Sequence, residues 1–210
     1  VKAVLFDFDG TLSKPGSLDF KFIKRELGCP LDRPVLEWIG ELETEDARTR
    51  AMDRLDAFEC AGADLSAPND GAEKIVREIK SMGLGVGLIT RNSISSIQRA
   101  LKNFDHLTLR DFDVVITRED PVAPKPNPAG ILFAAEKLDV KSGEIAIVGD
   151  FVFDMEAGRR AGAVTVFLSN DGGAEIPKSD FAISRLSDLA DMIRTGLSFA
   201  PGLPVRSEVP

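Results

Sequence analysis

Histidine, cysteine, tyrosine and basic residues are all scarce in this 210-residue chain, and each shortage removes a class of function. There is one histidine, His106, in a polar stretch with no partner for a metal site or a catalytic triad, so it reads as a surface residue. There are two cysteines, Cys29 and Cys60, and neither lies in a CxxC pair. That excludes a disulfide framework and a thiolate metal centre, and both read as small buried apolar residues. Tyrosine is absent and tryptophan occurs once, as Trp38. Trp38 and the phenylalanines read as core rather than as a stacking platform. No apolar run approaches the ~20 residues that cross a bilayer, and no signal peptide is present. Lys and Arg number 26 against 34 Asp and Glu, for a net charge of −8. Without a basic stripe, nucleic acid is not an expected partner, and neither is a membrane. A GxxxxGK[ST] loop is missing, and Gly83, Gly85 and Gly87 precede a strand pattern rather than follow one, so the dinucleotide reading fails on context. A soluble cytoplasmic protein is the expectation, monomeric or homodimeric. An anionic substrate would need a locally positive or metal-bearing site.

What is present is an apolar N-terminal run, Val4-Leu5-Phe6, that ends in Asp7-Phe8-Asp9-Gly10-Thr11. It reads as a buried strand, with Asp7 and Asp9 emerging on one side. Two carboxylates at the end of a buried strand are unfavourable without compensation, usually a cation. From Ser13 to Asn69 no strand pattern occurs. Helices are expected over Asp19–Leu27, stopped by Gly28, then after Asp32 and Pro34, then from a Thr44 cap to Gly62. Ala67-Pro68-Asn69-Asp70-Gly71 punctuates the chain. From Gly71 helices and strands alternate, with strands over 84–90, 113–117, 144–149, 164–168 and 181–183. The expected fold class is therefore α/β, a Rossmann-like, three-layer parallel-sheet core. A small all-helical segment, residues 14–70, interrupts it after the first strand. The core takes residues 1–13 and 71–198, and residues 199–210 read as a disordered tail.

In open parallel sheets, ligands bind beyond the carboxyl ends of the strands. The strand ends carry Asp7 and Asp9, then Thr90-Arg91-Asn92, then Lys125 in a Pro-rich loop, then Gly149-Asp150 with Asp154 four residues on. Clustered carboxylates suit Mg²⁺, a hard cation. A carboxylate neutralised by it can attack phosphorus, and a second can move protons. A threonine hydroxyl, backbone N–H groups and a lysine can hold phosphate oxygens. Prolines 124 and 126 restrict the backbone on both sides of Lys125.

Together, Asp7-Phe8-Asp9-Gly10-Thr11, Thr90, Lys125 and Gly149-Asp150-Phe151-Val152-Phe153-Asp154 resemble the four motifs of the haloacid dehalogenase-like hydrolases, in the family's order. Phosphatases of the phosphoglycolate phosphatase type, with a short helical cap, are the implied branch. The resemblance implies that Asp7 is the nucleophile and Asp9 the general acid/base. Mg²⁺ would be held by Asp7, the backbone carbonyl of Asp9, and Asp150. Thr90 and Lys125 join the catalytic set, with Gly10 and Arg91 as further phosphate contacts. Asp154 would orient the metal shell or Lys125. Residues 14–70 would be the cap, where Arg48, Arg50 and Arg54 are candidate anion contacts. The implied activity is Mg²⁺-dependent hydrolysis of a small phosphorylated metabolite through an aspartyl-phosphate. Two alternatives stand beside it: a phosphomutase of the same family, and a phospho-accepting signalling module. Receiver-type modules place their acidic pair first and their lysine last, the reverse of the order here.

Overall fold

A computed structural model describes residues 1–170 and 177–195 of the chain. Six parallel strands form one sheet: β1 (Ala3–Phe6), β2 (Gly85–Ile89), β3 (Val114–Ile116), β4 (Ile145–Gly149), β5 (Val164–Leu168) and β6 (Phe181–Ile183). Their order is β3-β2-β1-β4-β5-β6. The chain builds outward from β1 in one direction and then returns to build in the other. The strand order therefore reverses between β1 and β4, which is where such sheets open a crevice.

Period-two alternation divides the buried strand residues between two faces. Val4 and Phe6 pack with α4 (Ala72–Ser81), α5 (Ile94–Ala100) and α8 (Ser187–Arg194). Ala3 and Leu5 pack with α6 (Ala129–Lys137) and α7 (Val152–Ala161). Both faces of the sheet are thus covered, and this explains why β1 and β4 are apolar throughout rather than alternating. The expected three-layer α/β fold is the observed one.

Between β1 and α4 come α1 (Phe20–Leu27), α2 (Val35–Gly40) and α3 (Glu45–Leu65), which share a separate apolar cluster of Ile23, Val35, Ile39, Ala51 and Leu55. Asp19 caps α1 by accepting from the Phe22 amide, and Gly28 ends it at φ 79°. Thr44 caps α3, accepting from the Ala47 amide at 3.2 Å. Two expectations fail here. Asp32 does not cap α2, because Pro34 occupies that position in an extended conformation. Gly62 does not end α3, which runs on to Leu65. A Cβ at Gly62 would lie 2.5 Å from Leu18 Cδ2 and 2.8 Å from the Ser17 carbonyl, so this glycine permits close approach rather than termination. The two connections to this helical segment are tied side by side. Ser13 bridges Pro68, Lys14 N–H donates to the Ala67 carbonyl, and Asn69 N–H donates to the Leu12 carbonyl. Among the described residues no helix is long and apolar enough to cross a membrane. His106 is exposed as expected, Cys29 is buried and Cys60 is half-buried. The expected tail, 199–210, lies outside the described residues.

Candidate active site

β1 delivers Asp7 to the crevice, and its N–H donates to the Val148 carbonyl of β4 at 2.9 Å. A wide turn, Phe8–Leu12, then carries Asp9. Its Gly10 sits at φ +76°, and a Cβ there would fall 2.0 Å from Asp150 Oδ2. At the end of β4, a Cβ on Gly149 would fall 2.3 Å from Asp154 Cγ. Two glycines therefore make the room in which the carboxylates converge. Asp154 stands in the first turn of α7 and accepts from the Phe151 amide at 3.2 Å. Ligating oxygens of Asp7, Asp150 and Asp154 all lie within 4.8 Å of one another.

The Lys125 ammonium enters this cluster almost fully buried. It donates to Asp7 Oδ1 at 2.5 Å, to Asp154 Oδ1 at 2.6 Å and to the Ile89 carbonyl at 2.8 Å. Burial works against its charge, yet Asp154 and Asp7 outweigh that and hold its pKa above the usual lysine value. One ammonium does not balance the carboxylates around it. Asp150 is pushed up to about 8 by burial, with Asp7 and Asp154 adding repulsion. Burial also raises Asp154, against the pull of Lys125. Asp9 is raised to about 7, first by burial and then by Asp7. A converging carboxylate set with a surplus of negative charge is the donor chemistry of a hard divalent cation. The residues present fit one.

Thr90 lies buried at the end of β2, and its Oγ1 accepts from the Asn92 amide at 3.2 Å. Asn92 was not among the expected site residues. Its side-chain amide donates to Asp9 Oδ2 at 2.5 Å, which gives the Asp9 carboxylate a fixed partner. The only sequence signal is its position two residues after Thr90. Asn69 and Asn170 were also missed. They brace the turn by donating to the Thr11 carbonyl at 2.9 Å and the Gly10 carbonyl at 2.6 Å. They act from the far side of the helical segment and from the end of β5; the punctuation around Asn69 marks a boundary, not a brace, and nothing local marks Asn170.

Arg91 lines the same cavity, but its guanidinium is held by Glu37 of α2 at 2.9 and 2.6 Å and also donates to the Lys125 carbonyl. It stacks over the Phe153 ring with the guanidinium carbon 5.0 Å from the centroid. Arg48, Arg50 and Arg54 do not line the cavity. Arg48 donates to the Leu42 carbonyl, Arg50 lies 3.9 Å from Asp46, and Arg54 lies 3.6 Å from Glu26. Lys24 is the basic residue that α1–α3 bring to the wall instead. Nor are all the aromatics core. Phe20, Phe151 and Phe153 line the cavity, and the first two are exposed. The cavity has a volume of about 520 Å³ and lies between the strand ends and α1–α3.

A profile of the haloacid dehalogenase-like hydrolases matches residues 1–162, which is most of the chain and spans the ends of β1, β2, β3 and β4. The chain belongs to the haloacid dehalogenase-like hydrolases. It is 32% identical over 202 residues to the uncharacterized hydrolase YOR131C of Saccharomyces cerevisiae, covering 92% of this chain and 91% of that one. It is 28% identical over 212 residues to the pyrophosphatase PpaX of Bacillus cereus, covering 92% and 96% respectively. The fold matches the crystal structure of a predicted phosphoglycolate phosphatase from Haemophilus somnus with a TM-score of 0.69. The sequences there are 19% identical, over 91% of this chain and 97% of that one. Members of the family are hydrolases, and Asp7, Asp9, Thr90, Lys125, Asp150 and Asp154 lie within the matched region.

Proposed function

We propose that this hydrolase is a Mg²⁺-dependent phosphomonoesterase that works on a small phosphorylated metabolite of the cytoplasm through an aspartyl-phosphate on Asp7. The observation that carries this reading is Lys125 bridging Asp7 and Asp154 inside a triad completed by Asp150. The arrangement sets the Asp7 carboxylate at the strand end beside the Lys125 ammonium, which would meet a phosphoryl anion, and gathers carboxylates that would hold a divalent cation there.

In the first step an Asp7 oxygen forms a bond to phosphorus while the ester P–O bond breaks. The departing oxygen takes a proton from Asp9, whose raised pKa leaves it partly protonated near neutrality. Lys125 and the Thr90 hydroxyl bind the equatorial oxygens, and Gly10 N–H joins them. In the second step Asp9 takes a proton from water, which attacks the aspartyl-phosphate and regenerates Asp7. Mg²⁺, held by Asp7, Asp150 and the backbone carbonyl of Asp9, would neutralise the phosphoryl oxygens and the nucleophile's neighbours. Asp154 positions Lys125 and fixes the turn at Phe151. Arg91, with Glu37 on its guanidinium, serves as a wall and a link to α2 more than as a phosphate contact. Residues 14–70 act as a cap that excludes water from the cavity.

The test is phosphate release from a phosphomonoester panel with and without Mg²⁺, beside Asp7→Asn and Asp9→Asn. Turnover that requires Mg²⁺ and disappears in Asp7→Asn is the expected result. Full activity in Asp7→Asn would rule the mechanism out. Stable phosphorylation of the wild type without turnover would move the chain to the signalling reading.

A further inference from the structure

The apolar lining of the cavity is unassigned by the chemistry above. Six apolar side chains form its wall: Leu18, Phe20, Val35, Leu36, Leu55 and Phe153. The charged groups beside them do not favour an anion. Arg91 is matched by the Glu37 carboxylate. Glu59 of α3, buried against the cavity, is matched in turn: it accepts from Arg118 at 2.7 Å and from the Ser93 amide at 3.3 Å, so it offers an anion no partner. Asp32 adds a second carboxylate to the lining. Lys24 is the lining cation left on the α1–α3 side, and its ammonium already donates to the Leu31 carbonyl at 2.8 Å.

A carboxylate or a second phosphate on the substrate would lose part of its water against these six side chains, with Arg91 already matched by Glu37 and the Lys24 ammonium already donating to the Leu31 carbonyl. Such a group is strongly disfavoured without a matched cation. An uncharged carbon skeleton gains by covering the six apolar side chains.

We infer that the leaving group of the substrate is an uncharged alcohol with an apolar face, aromatic or branched aliphatic, seated against Leu18, Phe20, Val35, Leu36, Leu55 and Phe153. The inference rests on the phosphomonoesterase reading of the same site. It separates this chain from the pyrophosphate and phosphoglycolate in its relatives' names, whose leaving groups, phosphate and glycolate, are anions. The overall reaction is unchanged: water consumes the ester, and phosphate and the free alcohol are released.

Benzyl phosphate and 4-carboxybenzyl phosphate isolate the charge, since they differ by one carboxylate remote from the ester. Two readouts separate this inference from the reading beneath it. Phosphate release by the wild type in Mg²⁺ gives kcat/KM for each ester. Calorimetric titration of Asp7→Asn in Mg²⁺ gives binding without turnover. Benzyl phosphate is expected to exceed the carboxylated ester about tenfold or more in both, the scale of one unmatched polar group in an apolar site. Leu36→Arg, which puts a cation in the wall, is expected to narrow that ratio to near unity by improving the carboxylated ester. Equal binding, tighter binding of the carboxylated ester, or binding of neither overturns the inference. The expected binding preference without any phosphate release supports it while overturning the hydrolytic reading.

Discussion

Gly10 is the residue on which the two acidic motifs meet. A methyl group there would occupy the space of the Asp150 carboxylate, and the φ of +76° is already unfavourable for a side chain. The left-handed conformation alone costs an alanine roughly 1–2 kcal/mol. Gly10→Ala is therefore expected to lower the Tm by several degrees, at about 2–4 °C per kcal/mol for a chain of this size. Phosphatase activity should fall by a far larger factor, because Asp150 must move. Calorimetry and a rate assay on the same sample check both halves. Asn92 makes a separate case. Its amide fixes Asp9 without touching the phosphoryl position in the proposed mechanism. Asn92→Ala should lower kcat by part of the ~10²–10⁴-fold that general acid–base catalysis supplies, with KM little changed. Equal losses in Asn92→Ala and Asp9→Asn, or a rise in KM alone, would show that Asn92 does something else.

Between elements, three arginines of the α/β core reach acidic residues on the helical segment. Arg91 meets Glu37 of α2, Arg118 meets Asp56 and Glu59 of α3, and Arg99 of α5 meets Asp64 of α3 at 2.9 Å. They differ in exposure, and so in weight. Arg99 and Asp64 are both about half exposed, and such a pair contributes ~1 kcal/mol or less. Arg118 and Glu59 are 7% and 3% exposed, so removing one leaves a buried charge without its partner. Arg118→Met is expected to destabilise by about 3–5 kcal/mol, and Arg118→Met with Glu59→Gln to recover much of that loss. Urea titrations of the two variants provide the check; a single variant as stable as the wild type would show that Glu59 does not depend on Arg118. None of these pairs is legible in the sequence. Local signals identified α1 by its apolar spacing and its stop at Gly28, and α3 by its Thr44 cap. The same signals misread Gly62, because a glycine that admits Leu18 from another segment looks identical to one that ends a helix. They also put Arg48, Arg50 and Arg54 forward, since charge is visible in sequence but the direction a helix faces is not.

At the level of the whole molecule, the sequence carries the strand ends in plain view because a parallel sheet requires apolar strands followed by polar loops. That regularity is enough to bring Asp7, Thr90, Lys125 and Asp150 to one rim. It could not show that the rim is short of positive charge, which depends on distances across the β1–β4 crevice. The shortage has a thermodynamic consequence. Asp7, Asp150 and Asp154 face one another with Lys125 as the ammonium among them, in a chain of net charge −8. A divalent cation that binds this cluster relieves their repulsion in the folded state. The unfolded chain separates Asp7 from Asp150 and Asp154 by more than a hundred residues and gains little. Mg²⁺ should therefore stabilise the fold by mass action, by about 2.7 kcal/mol at a hundredfold excess over its Kd. At about 2–4 °C per kcal/mol that is a rise of roughly 5–10 °C in Tm, reversed by chelation. Asp150→Asn removes one ligand charge while keeping nearly the same volume beside Gly10. It should raise the Tm of the metal-free protein by easing repulsion, and abolish the further rise with Mg²⁺. A thermal titration of the two proteins, with K⁺ matched for ionic strength, measures both signs. A Mg²⁺ response in Asp150→Asn equal to that of the wild type would place the cation elsewhere.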